Sequence, residues 1–520
     1  MTALLITGRV RTQDPDRPVA EAVAVAGARI VAVGDRASVR RRVAAGTPEL
    51  RFPYVVPGFV DSHVHLLWAG RAATRLALPA ADDVLARVAR FAAGHPGAGW
   101  IEADASFDGP LPSAAALESA APGVAVLIDV KGHDAVVSET ALRRAGIGDG
   151  TPDPHGGRIE RGPGGRATGL LVEQPAVALV RAVMPAVPVA AQQDWIRAGQ
   201  AELLRHGITT AVDPAVGASG LRAYEIMAAD RALRPRVVVM PHGVGSPALA
   251  SPALASPTLA SPALASPALA ETDRLRLGPA KIFLDGGGSL GTALLSTPWP
   301  GTDGYHGNQT VTRAELAATV RSAARGVGIH AVGDAAIDLA LEVIAEVRPA
   351  APCHLIHAYL GPSPAAMERA RALGVAVSAH PALQWSFGAG LIERLGHPRA
   401  AAANPLRSWL DAGVPVGGGS DAPGPPMSVL RGIWQARTRL VRGVDLPLGP
   451  AQAIGAAEAF DLFTVGAAAI AGFGSTGRLR AGDPADVTGL TVDPLTPHPA
   501  ELYDGRVLAT IVGGTVEYAE

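Results

Sequence analysis

His63 and His65 stand two residues apart in the run VVPGFVDSHVHL. Side chains at i and i+2 of an extended segment share a face, so such a pair can present two imidazoles to one divalent ion. Taken alone, the spacing is weak evidence and more often marks two ordinary histidines. Cys353 is the only cysteine, which excludes an intramolecular disulfide and any cysteine-rich zinc site. A metal here would have to draw on His, Asp or Glu. Among 45 basic residues only Lys131 and Lys281 are lysines. A lysine amine can lose its proton and react whereas a guanidinium keeps its charge, which makes these two candidates for amine chemistry.

Eight short β-branched runs could carry such residues as parallel strands: 55–65, 208–213, 236–243, 281–285, 327–333, 353–358, 375–380 and 414–421. Helical stretches such as 192–207, 312–326 and 334–347 fill the gaps. This alternation predicts an α/β fold, a (β/α)8 TIM-like barrel over residues 56–467. Residues 70–190 exceed a single crossover helix and contain the strand-like VAVLIDV (124–130), so they are expected to form an inserted subdomain after strand 1, on the substrate side. Alternating segments at the two ends predict a small β-sandwich built from residues 1–55 and 468–520. Residues 246–270 are five tandem SPALA-type pentapeptides. A proline every fifth residue removes helix donors repeatedly, so this stretch is expected to be a flexible loop.

A formal net charge of −2 gives no general attraction to nucleic acid or to anionic membranes. The first residues, MTALLITGRVRTQDPD, lack a charged stretch before a long apolar core, and no apolar run reaches 18 residues. Neither a signal peptide nor a membrane span is expected, and the chain reads as cytoplasmic. Homodimerisation is the base-rate expectation.

The stretch VVPGFVDSHVHL resembles the first-strand signature of the amidohydrolase superfamily, "PGxxDxHxH". Lys281 in KIFLDGGGS, His330 in GIHAVGD, His357 in HLIHA and Asp421 in GGGSDAP follow in or at the ends of later expected strands. Catalytic groups of a (β/α)8 barrel gather at the C-terminal ends of its strands, where these six could meet. Singly, Lys281 could pair with Asp285 and Asp421 could cap the helix that follows it. The motifs are similar to those of amidohydrolase family 3, the YtcJ-like group that includes N-substituted formamide deformylases. GWIEADASFD (99–108), KGHDAVVSETALRRAGI (131–147), DPHGGRIERGPGGRATGLLVE (153–173) and GRLRAGDPADVTGLTVDP (477–494) extend the resemblance over nearly the whole chain.

That resemblance implies one or two divalent ions, most naturally zinc. His63, His65 and Asp421 would hold one ion, His330 and His357 the second, with Lys281 bridging as a carbamate; a mononuclear site with unmodified lysine is the other option. It further implies a hydrolase in which metal-bound hydroxide attacks a non-peptide carbon–nitrogen bond of a small amide, N-acyl or N-formyl compound, with Asp421 moving the proton. A deaminase or cyclic-amide hydrolase using the same site, and a non-catalytic metal-binding regulatory protein, are the alternatives. His133 matches a substrate-facing family position, although Ser138 stands where relatives usually carry asparagine. Glu173 is a weaker candidate for the pocket. Lys131 reads equally well as a surface charge, and His242, His354 and His380 as core or supporting residues. Trp68, Trp299, Trp385 and Trp434 are possible pocket walls, each more often core.

Overall fold

The computed structural model describes residues 3–72, 74–79, 81–105, 109–242 and 269–520. All but the last two residues of the SPALA repeats lie outside them.

Two parallel sheets position the site. In the first, the order is Leu275–Leu277, Arg236–Pro241, Ile208–Val216, Phe59–Asp61; in the second it is Ala280–Phe283, Val327–Ala331, His354–His357, Ala376–Ala379, Val416–Gly418. Each of the eight expected runs contributes a strand to one of these sheets, and Leu275–Leu277 adds a short ninth. The sheets approach each other at both ends: Ser62 N–H donates to Gly418 O at 3.0 Å, and His242, just past Arg236–Pro241, has Nδ1 3.0 Å from Lys281 O. Helices such as Val189–Arg205, Ala218–Ala229 and Asp334–Val347 cover the outer faces, burying Leu203, Leu221 and Ile337 in the largest apolar cluster.

The expected first strand, 55–65, is divided between two sheets. Glu49–Pro57 pairs with Ala3–Arg11 and Val487–Leu490, while Phe59–Asp61 pairs with Ile208–Val216. Gly58 makes the crossing, where an added Cβ would lie 2.2 Å from Thr209 Oγ1.

The two chain ends meet in one continuous seven-stranded ladder, ordered Thr515–Ala519, Val507–Val512, Val487–Leu490, Glu49–Pro57, Ala3–Arg11, Val19–Ala26, Arg29–Gly34. Ile6 and Val23 pack in a cluster on one side, Leu5 and Ala22 in another, as the two-residue period of a strand requires. Asp486 ties this sheet to the parallel strands by a buried two-pronged pair with Arg236 at 2.8 and 3.2 Å.

Residues 76–172 form a third sheet of six strands, ordered Arg158–Arg161, Ala167–Val172, Asp134–Val137, Ala125–Val130, Trp100–Ala105, Leu76–Leu78, with an apolar cluster of its own on each face. None of the described helices is long and apolar enough to cross a membrane.

Candidate metal centre

His63 and His65 lie just beyond the strand Phe59–Asp61 rather than on it. The chain bends there because Asp61 Oδ1 accepts the backbone N–H of His63 at 3.0 Å, a short side-chain-to-backbone turn. The same oxygen accepts Ser420 N–H at 3.0 Å. Flanking backbone bonds keep the two imidazoles on one side: Val64 N–H donates to Val212 O, His65 N–H to Ala422 O, and Asp421 N–H to His63 O, at 3.0, 3.0 and 2.8 Å. The segments that carry His63 and Asp421 approach so closely that a Cβ on Gly419 would sit 2.8 Å from His63 N. Asp213, near the end of the next strand, accepts Leu66 and Leu67 N–H at 3.1 and 3.3 Å and the Tyr224 hydroxyl at 2.6 Å. It thereby satisfies open donors at the start of the helix Leu66–Ala72.

This framework brings the six expected residues to one cavity of about 350 Å³. His63 Nε2 and His65 Nε2 lie 3.5 and 3.4 Å from Asp421 Oδ1. Among the described residues these three form a group of potential donors all within 4.8 Å of one another. The His357 ring lies 5.8 Å from that of His63 and 4.6 Å from that of His330. Lys281 enters from the neighbouring strand, with Nζ 4.6 Å from the Phe283 ring centre. It makes no pair with Asp285, whose oxygens accept the N–H groups of Leu294, Val332 and Gly333. Nor does Asp421 cap the following helix, Val429–Thr438, because Ser428 does. His357, Ala358 and Asp421 have φ of 75°, 47° and 56°. Such left-handed conformations are uncommon outside glycine and gather at functional sites.

Among the described residues, both ring nitrogens of His63, Nδ1 of His65, His357 and His380, and Nζ of Lys281 are buried without a hydrogen-bond partner. Leaving one such group unsatisfied is costly, and six in one place form a cradle suited to a cation. Burial holds His63, His330 and His357 well below the ordinary histidine value, so their lone pairs are available. Burial likewise pushes Lys281 down to about 7. For Asp421 burial acts upward, but the His65 contact and the nearby positive charges outweigh it, and the carboxyl stays below its usual range.

His133 lines the cavity, its ring 5.3 Å from that of His330. Glu173 stands behind it with Oε2 2.9 Å from His133 Nδ1, and is fixed in turn by the Thr292 hydroxyl and by Asp134 Oδ1, which accepts its backbone N–H. Lys131 is on the cavity wall, over the Phe387 ring at 4.6 Å, rather than on the outer surface. Of the tryptophans, Trp68 lines the cavity, with its ring stacked on His65 at 4.1 Å. Trp385 and Trp434 pack with Tyr503, and Trp299 is buried elsewhere. His242 Nδ1 lies 3.0 Å from Lys281 O, and His354 is buried on the strand before His357.

Sequence reasoning left His380 among supporting residues, yet its ring lies 5.0 Å from that of His63 and 4.6 Å from that of His357. Its place at the end of an expected strand was the available signal. It also passed over Asp61, Asp213 and Asp285, whose acceptor roles depend on contacts distant in sequence, and Arg71, which lines the same cavity.

The chain is similar to known proteins over most of its length. The chain is 30% identical to N-substituted formamide deformylase of Arthrobacter pascens, covering 99% of this chain and 98% of that one. It is 29% identical to putative amidohydrolase YtcJ of Bacillus subtilis strain 168, over 91% of each. An uncharacterized metal-dependent hydrolase from Pyrococcus furiosus shares the fold with a TM-score of 0.72, at 23% identity, over 95% of this chain and 100% of that chain. The profile of the amidohydrolase family matches residues 53–518, which include both the His63/His65 segment and Asp421, so this chain belongs to the amidohydrolase family and is a hydrolase.

Proposed function

We propose that the protein hydrolyses the carbon–nitrogen bond of a small amide, N-acyl or N-formyl compound at a divalent metal centre. In this reading the two parallel sheets form a single (β/α)8 barrel, with the terminal sheet and the six-stranded insert as its two accessory parts. The observation that carries it is the convergence of His63, His65, Lys281, His330, His357 and Asp421 on one cavity, four of them with unpartnered buried nitrogens. That donor set fits a divalent ion, zinc by the preference of imidazole and carboxylate ligands. Such an ion, when bound, acidifies water and polarises a carbonyl.

His63, His65 and Asp421 would hold one ion and His330 with His357 a second. A neutral Lys281 amine can add carbon dioxide with loss of one proton, and so offer a carboxylate between them. Asp421 lies within reach of both imidazoles of the first set, where it can take the proton of the attacking water and return it to the leaving nitrogen. With Nδ1 committed to Glu173, His133 keeps Nε2 to donate to the substrate carbonyl oxygen as charge grows there. Water adds to the carbonyl carbon, the carbon–nitrogen bond breaks, and an acid and an amine leave. The deformylase likeness supports this bond type.

A panel of N-formyl, N-acetyl and cyclic amides, together with deamination substrates, tests the reading on protein loaded with zinc. Release of formate or acetate, lost in Asp421→Asn at unchanged metal content, is the expected result. Turnover confined to deamination or ring opening would move the bond assignment, and no turnover by fully loaded protein would favour a regulatory metal-binding protein.

A further inference from the structure

Among the described residues, Arg71 is a guanidinium on the cavity wall without an acid of its own. The two carboxylates that share this wall are engaged by other arginines: Asp104 pairs with Arg75 at 2.6 Å, and Asp129 with Arg181 while it also accepts Gly132 N–H at 2.8 Å. Among the described residues the Arg71 guanidinium has neither an ion pair nor a hydrogen bond, only the faces of Trp68 and Trp195, each 5.9 Å from its Cζ. Its surroundings oppose its charge: burial, then Arg75 and Arg181, push it down to about 9, with Asp129 and Asp104 compensating only in part. A positive group left in this state gains most from an anion brought by a ligand.

The position is built rather than incidental. A Cβ on Gly70 would lie 1.7 Å from Trp195 O, and one on Gly199 would lie 2.4 Å from Leu66 O. Two glycines therefore let the helices Leu66–Ala72 and Val189–Arg205 touch backbone to backbone, which sets Trp195 against Arg71. One indole separates Arg71 from the centre, since Trp68 stacks on His65 at 4.1 Å with 6° between the planes. A substrate reacting beside His65 could lie along Trp68 and present its far end to Arg71.

We propose that Arg71 receives a carboxylate at the far end of the substrate, so that the enzyme acts on amides carrying an anionic group one aromatic ring's length from the scissile bond. This rests on the hydrolytic reading of the metal centre. A planar guanidinium matches a carboxylate in two-pronged fashion, and selectivity then comes from a charge left unpaired whenever a neutral analogue occupies the site.

The test compares N-(4-carboxybenzyl)formamide with its neutral counterpart N-(4-carbamoylbenzyl)formamide, on zinc-loaded wild type, Arg71→Met and Arg71→Lys. The wild type should prefer the carboxylate by roughly 30-fold in kcat/KM, the size of a buried charge-assisted pair. Arg71→Met should bring that ratio to about one, and Arg71→Lys should keep part of it; thermal melts check that both variants fold. Equal rates on the two compounds in wild type, or a preference that survives in Arg71→Met, would overturn the proposal. Binding is read separately by tryptophan fluorescence. If neither compound is hydrolysed but the carboxylate binds in an Arg71-dependent way, the anion subsite stands and the hydrolytic reading falls. If neither is hydrolysed and neither binds, the subsite falls as well.

Discussion

His133 Nδ1 lies 2.9 Å from Glu173 Oε2, and the contact sets the charge of a histidine that faces the cavity. Burial alone would hold this imidazole neutral, but the Glu173 carboxylate and its hydrogen bond outweigh burial and carry the value up to about 9. Burial raises Glu173 in turn, and the positive His133 more than reverses it. A neutral His133 would be a weaker donor to a developing oxyanion.

Glu173→Gln should therefore lower the His133 value, because burial is then opposed only by Asp134 and Asp421. The sign follows from the raised folded-state value: the stabilisation is complete below about 6.5 and is lost as pH rises through about 9. Wild type should lose stability over that window relative to Glu173→Gln. The variant's kcat should fall roughly 10- to 100-fold, with its alkaline limb displaced to lower pH. Denaturant midpoints from pH 6 to 10 check the first part, and parallel curves for the two proteins would sink it.

Among the described residues the buried Lys281 amine has no hydrogen-bond partner, and burial holds it near 7, where much of it is uncharged at neutral pH. Lys281→Ala should reduce metal content from about two ions per chain to one or fewer, with partial recovery on adding a short carboxylate such as propionate. Lys281→Arg should not recover, since guanidinium does not form a carbamate. Metal analysis alongside carbon-13 spectra of protein equilibrated with labelled bicarbonate reads both points. One ion per chain, unaffected by Lys281→Ala, would contradict the bridging role.

The meeting of six residues in one cavity was legible because the expected chemistry restricts residue type and the strand ends restrict position. His63, His65, Lys281, His330, His357 and Asp421 each stand in or just past a strand, and strand runs are visible as β-branched clusters. The division of residues 55–65 was not legible, since both halves are equally apolar and only the pairing partners, Val487–Leu490 and Ile208–Val216, separate them. Asp61, Asp213 and Asp285 were passed over for a related reason. Each accepts backbone N–H groups, and any segment can supply those without a sequence mark. Arg71 stood out from the other arginines only once Asp104 and Asp129 were seen to be taken.

Asp213 joins two segments through three accepted bonds, and its removal should be costly. Asp213→Ala leaves Leu67 N–H and the buried Tyr224 hydroxyl without acceptors, and Leu66 N–H with Val64 O alone. A loss of about 3 kcal/mol in unfolding free energy is expected from such orphaned groups. The accompanying slackness in the helix Leu66–Ala72 should weaken zinc binding, because His65 immediately precedes it. Unchanged stability together with unchanged zinc affinity would remove Asp213 from the support of the site.

Gly419 gives the sharpest test of how closely the centre is packed. A methyl group there would meet His63 N at 2.8 Å and His380 Cδ2 at 3.0 Å, and neither can retreat freely. His63 N is fixed to Asp61, and its carbonyl to Asp421 N–H, so relief must come from moving His63 away from Asp421 or from displacing His380. Gly419→Ala should cost about 1–3 kcal/mol of stability as an overpacked site. Its larger effect should be on metal, at least about tenfold weaker binding, because coordination geometry tolerates displacements poorly. A compensating His380→Ala in the same chain frees the space on one side only. If contact with His380 dominates, the double variant binds zinc as His380→Ala alone does; if contact with His63 dominates, it binds more weakly than that single variant. Zinc titrations of the two variants distinguish these outcomes, and a Gly419→Ala protein binding zinc as tightly as wild type would show that the approach at this point is not what positions the ligands.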